Sequence, residues 1–454
     1  MTVKEKVQEE EKYVSKILHM IYKRRFVGFT GQAVKNSIFQ FLTTATAKVG
    51  SLIFTIILAR LLLPELFGLY SLALSTVVLF AGFSDFGISQ ALVRYVSKFL
   101  GQNNEKKAKA YLKYLIKIKL ILILVICLVL SLSAYFIANN YYNKPVFLAL
   151  IAGAFYILAI GFLTFVESIF FASNKFRYPF YKEIVFQILR LIFIPLAIFL
   201  TIGTVSQEVS LFIIISVLAM AYFISLIFIL IMLNKKVNLI HLKSEDLTKK
   251  EKSDLWKFII PLSATVLSGV FFGYIDMVML GRFVLAENIG FYRAAFSLIG
   301  SLVPFIAFSN ALFPIFSRLS GKQLDKSFKQ TKIVIIIFSI LGLIGTLIFA
   351  DLAVNIIFGA EYIEAANILR VLSLLLIALP ISMLYSSYFI SQGKTKLVAK
   401  LLIFSTIVNI VLNYIFISWL VQYSFSLAVM GAAIATIISR YLHLFLLILL
   451  RKKA

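Results

Sequence analysis

The chain predicts an all-α polytopic membrane protein of twelve transmembrane helices, in two six-helix lobes related by a parallel internal repeat. Three observations predict this class. Hydrophobic residues make up 61% of the 454 residues and charged residues only 14%, whereas a soluble domain runs near half apolar and a quarter charged. The apolar residues gather into blocks of about 20, the length that crosses a bilayer as a helix. A polar-marked motif also recurs at the same place in the span order of each half.

Taken in order, residues 1–35 are a cytoplasmic amphipathic segment. Its stretch EKYVSKILHMIYKRRF sets Val14, Ile17, Leu18 and Ile21 on one helical face. That face suits an interfacial helix on the anionic leaflet, and equally a solubilising tail that reinforces topology. So long a polar lead before the first span is unlike a cleaved secretory signal. The first lobe, 36–234, carries spans 36–60, 66–84, 114–137, 145–171, 180–202 and 209–234. A cytoplasmic linker, 235–255, precedes the second lobe, 256–450, with spans 256–280, 289–317, 332–350, 364–390, 396–420 and 427–450. Residues 451–454 form a cytoplasmic tail.

Charge sets the orientation. One set of loops holds Arg94, Lys98, Lys106, Lys107, Lys175, Arg177, Lys235, Lys236, Lys249, Lys250, Lys394 and Lys396, together with both termini. The alternate loops hold only Arg60, Lys144 and Arg282, beside Asp351, Glu361 and Glu364. This bias places both termini in the cytoplasm of a cell-membrane protein. It also accounts for the net charge of +25, so nucleic acid is not an expected partner.

Enzyme chemistry finds no support. Cys127 is the single cysteine, and His19, His241 and His443 are scattered, so no metal constellation and no cofactor site is expected. The chain shows no phosphate-binding loop and no paired catalytic carboxylates.

The repeat is specific. RLLLPELFGLYSLALS (60–75) and RFVLAENIGFYRAAFS (282–297) match at Arg60/Arg282, Leu63/Leu285, Glu65/Glu287, Gly68/Gly290, Tyr70/Tyr292, Ala73/Ala295 and Ser75/Ser297. Both copies join the first and second span of a six-span set. A weaker echo, SNKFR (173–177) and QGKTK (392–396), follows the fourth span of each half. An even number of spans per half makes the repeats parallel.

These motifs, with FSDFGISQALVRYVSK (83–98), DMVMLGRFVLAENIGFYRAA (276–295), FGAEYIEAANILRVLS (358–373) and VNIVLNYIF…GAAIATIIS (408–439), resemble the prokaryotic polysaccharide flippases. Those proteins belong to the multidrug/oligosaccharidyl-lipid/polysaccharide exporter superfamily. The resemblance runs from about residue 35 to the end. It implies a V-shaped transporter with a central, often cationic cavity, moving polyprenyl-(pyro)phosphate-linked oligosaccharide from the inner to the outer leaflet. Its implied partners are that lipid-linked substrate, membrane lipids, a proton or sodium ion, and glycan-assembly enzymes. A multidrug or cation antiporter of the same superfamily is the alternative, and a lipid-linked glycan polymerase or ligase the second.

The substrate residues must come from the chain itself. Lys48, Lys117, Lys119, Arg190, Arg293, Arg370 and Arg440 lie within spans, where a charge is costly and marks a site or a partner. Lys117 and Lys119 are expected to snorkel to the cytoplasmic interface, and Arg370 to the outer one. Lys48 sits on a stripe of Asn36, Gln40, Thr44, Ser51 and Thr55 at helical spacing, a face fit for a cavity. The expected substrate residues are Lys48, Arg293, Arg190, Arg440, Gln40, Thr44, Ser51 and Asn409. Lys48 and Arg293, from opposite lobes, are the expected grip on a pyrophosphate. Asp276 and Glu167 are the expected ion-coupling acids; structural partnerships remain open, Asp276 with Arg282 or a neighbouring helix and Glu167 with Arg190. Glu183 is expected to be solvated near the cytoplasmic end.

Overall fold

In the computed structural model the described residues are 28–237, 245–307, 316 and 321–452. Every regular element among them is helical. The stretch 1–27, with its apolar face, and the tail residues 453–454 lie outside them, as do 238–244 of the linker.

Helix α1 (Gly28–Asp85) is 58 residues long, about 87 Å if straight, and far more than one bilayer needs. Leu63, at φ 60° and ψ 170°, breaks it just before Pro64, which has no amide hydrogen to extend the helical ladder. The chain folds back there, because Ser51 and Leu74 from the two arms line one cavity. Eleven helical stretches among the described residues are long and apolar enough to cross a membrane. The first of them supplies two spans, so the structure agrees with twelve crossings.

Phe86 and Gly87 both have positive φ and end the second span. The amphipathic α2 (Ile88–Gly101) follows, burying Ile88, Ala91, Leu92 and Val96. Helix α3 (Glu105–Tyr135) is capped by Asn104, whose side chain accepts from the Lys107 amide, and a π-helical end reaches Tyr142. Helices α4 (Phe147–Ala172), α5 (Arg177–Thr201) and α6 (Gln207–Lys236) complete the first lobe, with α4 packed on α6 and α5 on both α1 and α6.

The second lobe opens with α7 (Lys249–Phe283), started by a reciprocal cap in which Thr248 and Glu251 satisfy each other's backbone amides. It continues through α8 (Ala286–Ala307), α9 (Gly321–Phe358), α10 (Ala365–Leu372), α11 (Leu375–Ser391), α12 (Thr395–Leu420) and α13 (Phe425–Lys452). The span expected at 332–350 is longer, and the one at 364–390 is two helices broken at Ser373–Leu374.

The lobes meet where the repeated motif lies. A Cβ added to Gly68 would stand 1.8 Å from the Ala286 carbonyl oxygen, and one added to Gly290 would stand 2.2 Å from that of Pro64. The offset of 222 that relates the copies also relates Gly68 to Gly290 and Pro64 to Ala286, so each copy presses on the other in the same way. Around this contact Tyr362 donates to the Ala59 carbonyl at 2.8 Å, Arg60 to the carbonyls of Ile356 and Ile357, and Lys144 to that of Gly281 at 2.7 Å.

At the opposite, basic end, α2 and α3 touch the start of α7. Lys107 pairs with Glu251 at 2.8 Å, Trp256 donates to the Tyr114 hydroxyl, and the Arg94 guanidinium lies 4.3 Å over Phe258. One expectation fails nearby. Lys119 does not snorkel: it is fully buried and pairs with Asp85 at 2.8 Å, which its rotation on α3 dictates. At the motif end Arg282 lies over the Tyr141 ring rather than reaching Asp276, which bonds to neighbouring helices instead.

Candidate functional site

Two adjoining cavities occupy the middle of the protein. The larger, about 330 Å³, lies within the first lobe and is lined by Lys48 and Ser51 of α1, Glu167 of α4, Lys182, Glu183, Gln187 and Arg190 of α5, and Tyr222 of α6. The smaller, about 160 Å³, lies between the lobes. Arg190, Tyr70 and Ser71 line it from the first lobe, and Tyr274 and Arg293 from the second. Ser51, Arg190 and Tyr222 belong to both. Helical spacing explains the seam, since Lys182, Phe186 and Arg190 recur every four residues on α5 and face one way.

The larger cavity is charge-balanced on one side. Lys182 pairs with both Glu167 and Glu183, and Gln187 donates to Glu183 at 2.5 Å. Gly50 makes room for Gln187, whose amide oxygen would lie 2.3 Å from any Cβ at that position. Two carboxylates sharing one ammonium compensate most of the cost of burying charge. The expected Glu167–Arg190 pair is therefore absent: the lysine on α5 reaches Glu167 instead. Glu183 is not solvated either, being 7% exposed.

The smaller cavity is different in kind. Arg190 is 8% exposed, stacks over Phe54 and Phe186 at 4.7 and 5.1 Å, and among the described residues has no carboxylate within ion-pair distance. Its Nε and Nη2, the Tyr70 hydroxyl and the Ser71 hydroxyl are buried without a hydrogen-bond partner among the described residues. Burying unmet donors is costly, and four of them at one cavity mark a place for an acceptor. No carboxylate lines this cavity among the described residues. Two guanidiniums and a set of hydroxyls suit an anion that accepts hydrogen bonds through several oxygens, as a phosphate does.

Asp276 lies apart from both cavities, 4% exposed within the second lobe. It accepts from Tyr292 at 2.6 Å, Thr436 at 2.5 Å and Asn413 at 2.8 Å. Those neighbours come from α8, α13 and α12, and all are neutral. Tyr292 precedes Arg293, so α8 carries one residue toward Asp276 and the next toward the smaller cavity.

The family model described as polysaccharide biosynthesis protein matches residues 33–320, well over half of the sequence. The chain belongs to this family. A second model, MatE, matches residues 261–415. An uncharacterized membrane protein of Methanocaldococcus jannaschii is 23% identical over 321 residues, 67% of this chain and 63% of the relative; the chain thus spans less than two thirds of that relative's length.

Among solved structures, an inward-facing multidrug resistance MATE family transporter of the MOP superfamily superposes with a TM-score of 0.70 at 14% identity, over 89% of this chain and 94% of that one. The lipid II flippase MurJ in an inward closed conformation gives 0.68 at 17%, over 90% and 87%. An outward-facing MATE family transporter gives 0.60 at 16%, over 93% and 95%. The fold of this polysaccharide biosynthesis family member is accordingly that of the two-lobed transporters.

Several expected site residues of this family member fall elsewhere. Lys48 lines the larger cavity and Arg293 the smaller, so they do not share one; the cation that lines the smaller cavity with Arg293 is Arg190. Gln40 and Thr44 line neither, and the Thr44 hydroxyl donates to the Gln40 carbonyl of its own helix. Asn409 is fully buried between α12 and α13, donating to Thr436 and Ser439 at 3.2 Å. Arg440 lies 3.5 Å over the Phe272 ring, outside both cavities. Sequence reasoning missed Lys182 and the tyrosines at 70, 156, 222 and 274. The signal was present: Lys182 is in register with Phe186 and Arg190, and a lone Tyr in an apolar span needs a partner for its hydroxyl.

Proposed function

We propose that this protein moves a lipid-linked oligosaccharide across the membrane, holding the (pyro)phosphate in the smaller cavity between Arg190 and Arg293. The carrying observation is the pairing of two guanidiniums from opposite lobes with unpartnered hydroxyls and no acid. Removing a dianion from water costs tens of kcal/mol by Born reasoning, and preset donors replace that hydration. Sugars then face the larger cavity, with Lys48, Ser51 and Gln187, while the lipid tail stays in the bilayer. Rocking of the two lobes exposes the head group to each side in turn.

This reading takes residues 36–234 and 256–450 as the lobes and the basic end as cytoplasmic, following the charge bias. Asp276 is the proposed coupling carboxylate, for a proton or sodium ion, because its hydrogen-bond partners are neutral and the nearby Arg440 is not within ion-pair distance of it, whereas Glu167 pairs directly with Lys182. The protein acts as a transporter rather than an enzyme.

The test is flipping of a defined polyprenyl-pyrophosphate sugar in proteoliposomes, with R190Q and R293Q beside wild type. Each should lose at least about tenfold, the loss of one charge-assisted bond, and K48Q should lose less. Wild-type flipping by both arginine variants refutes the site. The MatE match and the acids of the larger cavity favour a second reading, export of organic cations. Dye efflux by a protein that flips no lipid-linked sugar would establish that one.

A further inference from the structure

Helix α3 packs on α1, α2 and α4 with one side and leaves the other to lipid. Leu120, Leu124, Leu128 and Leu132 are 44, 51, 59 and 75% exposed, and their spacing of four makes them one face. That face extends toward the basic end through Lys117 and Lys113, both exposed, and toward the other end through Tyr135, 64% exposed.

Depth follows from helix geometry. Lys117 to Tyr135 is about 27 Å of helix, close to the ~30 Å of hydrocarbon in a bilayer. With the Tyr135 ring at one interface, where such rings gather, Lys117 meets the other. Lys113 stands one turn beyond, at the depth of the phosphates. The two backbone positions are about 6 Å apart along the axis, on stems long enough to bend toward the head groups. Lys119 shows that position alone does not set this arrangement, since it turns inward to Asp85. Neither Lys113 nor Lys117 has a carboxylate within ion-pair distance among the described residues.

We propose that Lys113 and Lys117 form a binding site for an anionic phospholipid of the leaflet at the basic end, away from the transport cavities. An anionic head group such as phosphatidylglycerol completes the pair, with its acyl chains along Leu120, Leu124 and Leu128. A zwitterionic head group brings its own ammonium, which the two lysines repel, so the site selects by net charge.

The experiment is native mass spectrometry of the full-length protein released from mild detergent. It is titrated with phosphatidylglycerol and, separately, with phosphatidylcholine of the same chains. Wild type should keep phosphatidylglycerol at least about fivefold over phosphatidylcholine, the scale expected of one lysine at a charged surface. The K113Q/K117Q pair should lose that preference and the K113R/K117R pair should keep it. K249Q/K250Q, which removes the same charge from the start of α7, should also keep it. Undiminished preference in K113Q/K117Q, none in wild type, or equal loss in K249Q/K250Q each overturns the proposal. Should the double variant fail to fold, the single K117Q variant reads the same ratio.

Discussion

Replacing Gly68 by alanine puts the lobe contact to a direct test. The added Cβ would lie 1.8 Å from the Ala286 carbonyl oxygen, 2.7 Å from its carbon and 2.9 Å from the Gly290 amide nitrogen. All three are backbone atoms, which cannot swing aside as a side chain can. An ordinary carbon contact needs roughly 3.3 Å or more, so the helices must part by about 1.5 Å at this point. Overpacking of this kind costs about 1–3 kcal/mol, or roughly 5- to 150-fold in an equilibrium constant. In the proposed rocking of the lobes this contact holds the motif end together, so G68A should shift the protein toward the arrangement with this end open.

The assay is simple because Cys127 is the single cysteine. In a C127A background, S71C places a thiol in the smaller cavity, and a membrane-impermeant maleimide is applied from each side of oriented vesicles. G68A should raise labelling from the sealed end at least about fivefold and lower it from the basic end. G290A should do the same, and the double variant should add little, because the first methyl already opens the contact. Unchanged labelling from both sides in a folded G68A protein refutes the reasoning.

Two further outcomes follow from the buried charges. K182M strands Glu167 and Glu183 without their shared partner, so it should destabilise by about 3–5 kcal/mol; adding E167Q and E183Q should recover most of the lost thermal stability in detergent. A melting curve for K182M that matches wild type would show that the two acids do not depend on the lysine. D276N keeps the shape of the side chain beside Tyr292, Thr436 and Asn413 while removing its charge. Flipping by this variant should no longer respond to an imposed proton or sodium gradient, although substrate still binds, and an undiminished response would remove Asp276 from coupling.

Much of the architecture was legible because its causes are local. A block of about 20 apolar residues must span whatever its neighbours are, and a polar residue every three or four positions must share a face. The twelve spans and the repeat follow from such rules. The placement of Ser51 and Thr55 at a cavity agrees with the stripe on the first span, while Gln40 and Thr44 on the same stripe line neither cavity. Leu63 was less legible: Pro64 signals a break, but nothing in the motif shows that two glycines 222 residues apart will each meet the other copy's backbone.

What the sequence determined by itself was the inventory: which helices cross, which faces are polar, and that a few cations must be kept from lipid. Only the tertiary structure decided the partners. Glu167 went to Lys182 rather than Arg190, Lys119 to Asp85 rather than to the interface, and Arg293 shares its cavity with Arg190 rather than Lys48. Each residue along a helix turns a side chain by about 100°, and an ion pair forms only within about 4 Å. Helix rotation and neighbour identity therefore choose among charges that sequence spacing alone leaves equivalent.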